Sequence, residues 1–486
     1  MKFLVVGTIC AISFSSPAFA DDDIAKLVGA MLGETPILSD LEFLTDQIGG
    51  RVTGSPPNQA AVAWALQTFA QAQVSATRES FEMPLQWQEL AVSTRISGDI
   101  SFEAGTIAKP FSTGADELQA PLLDAGLGSA DDFARLGDRA QGAWVLIETP
   151  VLDDRVGLHG LFAEYDAAAA SAALALDAGV TGIVTMSSRQ NNLLYRLPLL
   201  TAKNRLPLLL MEREHAMRAQ RLLRAGRSLM LTATIEIDSD YAYQSANVIG
   251  EIRGSSRPQE IVLIGAHLDS HDLGTGALDN GANVVMMIDI ARQIVRLGLK
   301  PERTIRFALW NGEEQGLVGS WRYAQQHRNE LDQHILAAAF DIGTGRIKGF
   351  FTGGMDGLGS MVDEYLRPVA GLGPFQQVNI PLVGTDNFDF MMEGVPNLIA
   401  IQADANYASN YHAASDTFDK VDQRQLKLNS AIAAAVVWGF ANAEDRLPRY
   451  TRAQLEELIN STDLEHQMRF FGLWEEWTSG NRGRQE

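Results

Sequence analysis

Cysteine is almost absent: among 486 residues only Cys10 carries a thiol, so no internal disulfide braces the fold. Basic residues are the next shortage. Lys and Arg number 39 against 60 Asp and Glu, a formal charge of −21. Such a chain has no cationic surface to neutralise phosphates, and neither nucleic acid nor an anionic membrane face is expected as a partner. Long uncharged apolar runs are missing too. Nothing after the N-terminal segment reaches the roughly 20 apolar residues a spanning helix needs, so no membrane span is expected. Internal repeats and low-complexity tracts are also lacking. What remains is a chain of 46% apolar residues, too hydrophobic for disorder and long enough for two or three domains.

Residues 1–20 have one Lys, an apolar run over 3–14 and the small-residue ending Ala18-Phe19-Ala20. These are the three parts of an export leader, with cleavage expected after Ala20. The only thiol leaves with it. The mature protein is therefore expected outside the cytoplasm, in the periplasm or the medium.

From 22 to 72 the pattern is helical. One helix places Leu41, Leu44 and Ile48 on a common face and stops at Gly49-Gly50, and a second covers 58–72 with Val62, Leu66 and Phe69 at helical spacing. The pattern turns strand-like over 85–107. A break near Lys109-Pro110 opens a stretch, 114–237, with strand signals at 143–148, 182–186 and 208–211 around an alanine-rich helix at 165–178. It holds few candidate catalytic residues and reads as an inserted, separately folded domain. From 247 to 446, apolar strands at 247–252, 261–266, 304–310, 335–340 and 398–402 alternate with helices, which predicts an α/β sheet. The last stretch, 452–486, is a charged amphipathic helix followed by Phe470, Phe471, Trp474 and Trp477, expected to dock on its own body.

The ends of these strands carry the reactive side chains. The run 261–266 leads straight into His267-Leu268-Asp269, placing an imidazole and a carboxylate at the C-terminal edge of a strand, where open α/β sheets bind ligands. Asp269 is positioned to accept the second ring N–H of His267, although such pairs are also ordinary surface hydrogen bonds. Asp279 stands before the helix at 284–297, where it suits either a ligand or an N-cap. Strand 304–310 ends in Asn311-Gly312-Glu313-Glu314-Gln315-Gly316, two adjacent carboxylates whose repulsion asks for a cation unless both are solvated. Asp341 follows strand 335–340, and His412 follows strand 398–402. His159, His215, His327, His334 and His466 read as loop or helix-surface residues, and His271 as a bystander. Together, His267, Asp279, Glu314, Asp341 and His412 offer two imidazoles and three carboxylates. That set suits zinc better than calcium or magnesium and, shared through one carboxylate, can hold two ions.

These motifs resemble the co-catalytic zinc aminopeptidase and glutamate carboxypeptidase family, most closely its plasma glutamate carboxypeptidase (carboxypeptidase Q) branch. The stretches that carry the resemblance are 49–55, 267–270, 274–279, 311–316, 384–386 and 412–417, in the family's order. The resemblance implies a zinc exopeptidase fold, a mixed and mostly parallel sheet flanked by helices, interrupted by a smaller protease-associated domain. The expected division is a leader at 1–20, peptidase domain at 21–113 and 238–450, protease-associated insertion at 114–237 and helical tail at 451–486. It further implies two zinc ions bridged by Asp279, with His267 and Asp341 on one and Glu314 and His412 on the other. Glu313 is the implied general base and Asp269 a catalytic acid behind His267, while Tyr411 and Asp386 are expected to support the site or touch substrate. Two departures stand out: His271 replaces an aromatic residue, and Asn280 follows the bridging acid where a second Asp is common. The expected activity is hydrolysis of short peptides or dipeptides from a free N-terminus, with a homodimer as the associated assembly. Carboxypeptidase action, single-zinc cyclisation of N-terminal glutamine and a non-catalytic binding role are the alternatives.

Overall fold

Strands buried on both faces read as unbroken apolar runs, and the runs of the second half form the centre of the protein. In the computed structural model, which describes residues 18–197 and 206–485, the chain lays down β1 (Ser75–Met83) and then leaves that sheet. It builds a second sheet from β2 (Trp87–Gly98), β3 (Phe102–Ala104), β4 (Thr106–Ala108), β5 (Ala115–Asp124), β6 (Trp144–Ile147), β7 (Gly182–Met186), β8 (Leu208–Met211) and β9 (Leu229–Ser239). It returns with β10 (Tyr243–Ile252), β11 (Arg257–His267), β12 (Arg303–Trp310), β13 (His334–Ala339), β14 (Ile347–Phe351) and β15 (Asn397–Gln402). Apart from its last three residues, the expected leader lies outside the described residues. No helix among those described is long and apolar enough to cross a membrane.

The first sheet has seven strands in the order β1-β10-β12-β11-β13-β15-β14. Its inner four, β12, β11, β13 and β15, are parallel, and antiparallel pairings complete both edges. Alternation along β11 explains its unbroken apolar run. Val262, Ile264 and Ala266 pack under the helices Ala282–Arg296 and Gln423–Asn442, while Ile261 and Leu263 join Trp310, Tyr323 and Phe390 on the opposite face. The mixed α/β sheet expected from the sequence is therefore present. β1 was not anticipated: apart from Phe81 and Met83 it is mostly polar and solvated. It is a strand because its backbone pairs with β10 from Ser75–Glu251 to Met83–Tyr243.

The second sheet, of eight strands, begins at Trp87 and corrects the expected boundary at 114. β2 pairs with β9 from Trp87–Ser239 to Gly98–Leu229, and β4 pairs with β8. The Lys109-Pro110 break is thus a turn inside this unit and not its border. Helices Ala130–Leu136 and Gly157–Asp177 pack on one face and Arg213–Arg224 on the other.

The tail docks on its own body, as expected: Leu455, Ile459, Leu464, Met468 and Trp477 are buried against Leu317, Val383, Phe388 and Met391. Arg482 locks it there, donating to both carboxylate oxygens of buried Asp389 at 2.7 and 2.8 Å. Asp389→Ala leaves that guanidinium buried without its main partner and is expected to cost about 3–5 kcal/mol, read as a lowered urea midpoint. The double replacement Asp389→Leu with Arg482→Met is expected to cost less.

Candidate metal centre

β11 delivers His267 at its C-terminal end with the side chain buried. His267 Nε2 lies 3.0 Å from Asp279 Oδ1 and 2.9 Å from Asp341 Oδ1. Asp279 comes from the turn before helix Ala282–Arg296, and Asp341 from just beyond β13. His412 Nε2 lies 3.3 Å from Asp279 Oδ2 and 3.0 Å from Glu314 Oε2. Asp279 thus turns one oxygen to each imidazole. The five ligand positions read from the sequence come together from separate stretches of chain.

Two expectations change. His271, read as a bystander, stands inside the site: its Nε2 is 3.1 Å from Glu314 Oε2, and its ring centre is 4.1 Å from that of His412. His267, Asp279 and Asp341 form one group of possible ligand atoms within 4.8 Å of one another, and His271, Glu314 and His412 form a second. The available signal was the alternating spacing His267, Asp269, His271 at the end of β11 and in the loop after it. Asp269, in turn, does not take the His267 ring proton. His267 Nδ1 is 3.0 Å from the Asp269 carbonyl oxygen but 3.6 Å from the carboxylate. The Asp269 carboxylate is occupied elsewhere: its Oδ2 accepts from the Thr53 hydroxyl at 2.8 Å and from the N–H groups of Gly312 and Glu314 at 3.1 and 3.4 Å. It holds the loop that carries Glu313.

Glu313 is half-buried and feels the charges of His267, Asp341, Glu314 and Asp386. Asp386 is 2% exposed with neither carboxylate oxygen hydrogen-bonded, so it backs the site rather than facing open solvent. Tyr411 stacks on His412 with ring centres 3.5 Å apart, and its hydroxyl is 3.4 Å from that of Tyr165. His334, expected on the surface, is buried at the start of β13 and bonds to the Tyr323 hydroxyl at 3.1 Å. Every residue of β13 is buried, His334 with the rest.

Three residues that bind the site together carried no role in the sequence reading. Buried Arg51 donates to the carbonyls of Leu268, Gly49, Thr275 and Gly276 at 2.6–3.0 Å, lacing the β11 loop to the turn before Asp279. Asp416 accepts the N–H groups of Ala277, Leu278 and Asp279 at 3.1, 2.7 and 3.1 Å. Arg196, from the second-sheet unit, accepts the His412 Nδ1 proton on its carbonyl at 3.0 Å, while its own N–H donates to the His412 carbonyl at 2.9 Å. That clamp holds His412 at a φ of +55°, a conformation costly for a residue with a side chain. With Nδ1 as donor, Nε2 is left to face the carboxylates.

The electrostatics call for positive charge. Burial pushes Glu313 well above the usual carboxylate range and Asp341 up to about 6 against the pull of His267. For His412, burial opposes the charged form, but Glu314 and Asp279 outweigh it and lift the imidazole to about 9. Asp279 Oδ2 and Glu314 Oε1 are buried without a hydrogen-bond donor. Orphaned carboxylate oxygens facing imidazole Nε2 atoms are the donor set of a divalent transition metal, and the residues present fit one at each group.

Residues 247–437 match the model of Peptidase family M28. Carboxypeptidase Q of Bos taurus is 32% identical over 241 residues, 49% of this chain and 50% of that protein; the chain spans about half the length of the curated relatives of this kind that it matches. A probable lipoprotein aminopeptidase of Mycobacterium tuberculosis is 26% identical over 85% of this chain and 84% of its own length. Among solved structures, a Peptidase M28 precursor from Shewanella amazonensis superposes with a TM-score of 0.81 at 26% identity, covering 90% of this chain and 100% of that one.

Asp416→Ala removes the acceptor that fixes the Asp279 turn while leaving every proposed ligand in place. It is expected to weaken divalent-metal affinity about 10- to 100-fold, the range for loss of an outer supporting group, measured by competition with a chelator.

Proposed function

With residues 247–437 matching the model of Peptidase family M28, we propose that this protein is an exported two-zinc exopeptidase that releases residues from the free N-terminus of short peptides. The observation that carries this reading is the Asp279 carboxylate, which spans two adjacent ligand groups with one oxygen toward each. In this reading His267 and Asp341 hold one ion, Glu314 and His412 the other, and Asp279 is shared. Bound zinc would supply acidity to a water and polarise the scissile carbonyl.

The protein's own groups then have distinct tasks. Glu313, adjacent to a ligand but not in either ligand group, takes the water's proton and passes it to the leaving amine. Its raised pKa, caused by burial among carboxylates, suits a group that must both accept and release a proton. Asp269 positions Glu313 by gripping the backbone on both sides of it. The second-sheet unit, in this reading a protease-associated domain, walls the approach: Trp87, Glu89, Phe111 and Arg196 line a narrow cleft with His271, Asp272 and Glu314.

Polarity of the cleft favours an amino end. Arg196 is the one Lys or Arg among the described residues that line it, and its guanidinium is bound by Asp272 at 2.9 Å, Glu89 at 2.7 Å and the Ala108 carbonyl at 2.6 Å. Among those lining residues no uncommitted guanidinium or ammonium is left to take a substrate's terminal carboxylate. Two ligand groups argue against single-zinc cyclisation, and a complete donor set argues against a non-catalytic role. Export rests on the leader read at 1–20.

A panel of dipeptides with free and blocked ends, assayed with and without chelator, tests the reading. Cleavage confined to free-amine members and abolished by chelation is expected; cleavage of amine-blocked members with free carboxylates would reverse the direction. Glu313→Gln is expected to keep its metal and lose about 10²- to 10⁴-fold in turnover, checked by metal content alongside kcat.

A further inference from the structure

The second ligand group holds one imidazole more than the five expected ligands provide. His271 and His412 both direct Nε2 at the same oxygen, Glu314 Oε2, at 3.1 and 3.0 Å, with ring centres 4.1 Å apart. His271 is only 10% exposed in its side chain, and its Nε2 lacks the geometry of a hydrogen bond. The other oxygen, Glu314 Oε1, is buried and unpartnered as well. A purely hydrogen-bonded arrangement would need two ring protons crowded onto one oxygen while its twin stays empty. A cation among them lets both nitrogens and the carboxylate present lone pairs to one centre.

Resting on the two-metal reading above, we propose that His271 is a further ligand of the ion held by His412 and Glu314. The two sites are then unequal. One has His271, His412, Glu314 and the shared Asp279, four protein ligands that fill a tetrahedral shell. The other has His267, Asp341 and the shared Asp279, three ligands that leave a position open, the pattern of catalytic zinc. Imidazole favours zinc over harder ions, while the more carboxylate-rich site tolerates manganese. The nitrogen-rich site therefore fills first with zinc and exchanges last.

Metal-stripped wild type, His271→Ala, His271→Gln and, as a control on an exposed helix, His466→Ala should be titrated with zinc against a chelator and with cobalt(II) under visible absorption. Two separable binding steps are expected in wild type and in His466→Ala. Both His271 variants should weaken one step by at least the roughly 10- to 100-fold known for loss of an outer group and leave the other unchanged. X-ray absorption at the zinc edge of the loaded wild type should find, on average, one and a half imidazoles per ion, falling to one in His271→Ala. Should the variants fail to fold, the wild-type count decides alone. Two bound ions with one imidazole each, or His271 variants with unchanged affinities, overturn this proposal and leave the peptidase reading standing. Wild type that binds no metal overturns both.

Discussion

Negative charge kept out of water at the C-terminal edge of one sheet is the constraint that organises this protein. Asp279, Glu314, Asp341, Asp269, Asp386 and Asp416 are all largely buried around that edge. Removing ionised carboxylates from water costs several kcal/mol each unless partners offset it. The protein's own offsets are limited: buried Arg51, whose burial lowers it to about 10 despite surrounding acids, and imidazoles that are cationic only while protonated. Asp416, with three backbone N–H donors, is still pushed by burial up to about 7. In the two-zinc reading, a dication shared through Asp279 would answer that charge without protonating the groups needed for chemistry.

Holding such a set together requires restraints that do not come from the ligands. Arg51 and Thr53 lie far ahead in the chain of the loops they tie, and each acts at a different junction: Arg51 joins the loop after His267 to the turn before Asp279, and Thr53 joins Asp269 to the Glu313 loop. Asp416 closes the same turn from the C-terminal side. The helix Pro56–Gln71 begins immediately after Arg51 and Thr53, capped by Ser55, and Phe69 packs against Gly250 on β10. The N-terminal segment is thereby anchored on the sheet whose loops it fastens.

How far the sequence could be read follows from which forces leave a local trace. Inner strands such as β11 and β12 were legible because burial on both faces demands continuous apolar runs, and His267, Glu314 and Asp341 were legible as candidates because they stand at or just past the ends of such runs. β1 was hidden because an edge strand held by backbone pairing needs no apolar pattern. The second-sheet boundary was misplaced for a related reason: Pro110 sits in the turn between β4 and β5 inside the unit, while the start at Trp87 is marked only by pairing with Ser239. The partner of the His267 ring nitrogen was misread because a carbonyl and a carboxylate of the same residue compete at nearly equal reach, a choice settled by Thr53. Arg196 was invisible as a site residue because its key contribution is a main-chain carbonyl, which any side chain could have carried.

Arg196 uses its backbone to fix His412 and its side chain to bind Asp272 and Glu89 in the wall of the cleft. The neighbouring Tyr195 pairs with Ala413 across the junction, and Tyr165 meets Tyr411, which stacks on His412. The same few residues therefore line the cleft and hold His412 in an unfavourable backbone conformation. A unit joined only by flexible linkers could not do this, since a clamp that loosens would release His412 from φ +55°. The unit that interrupts the chain between β1 and β10 is thus fastened at once to His412 and to the wall of the cleft.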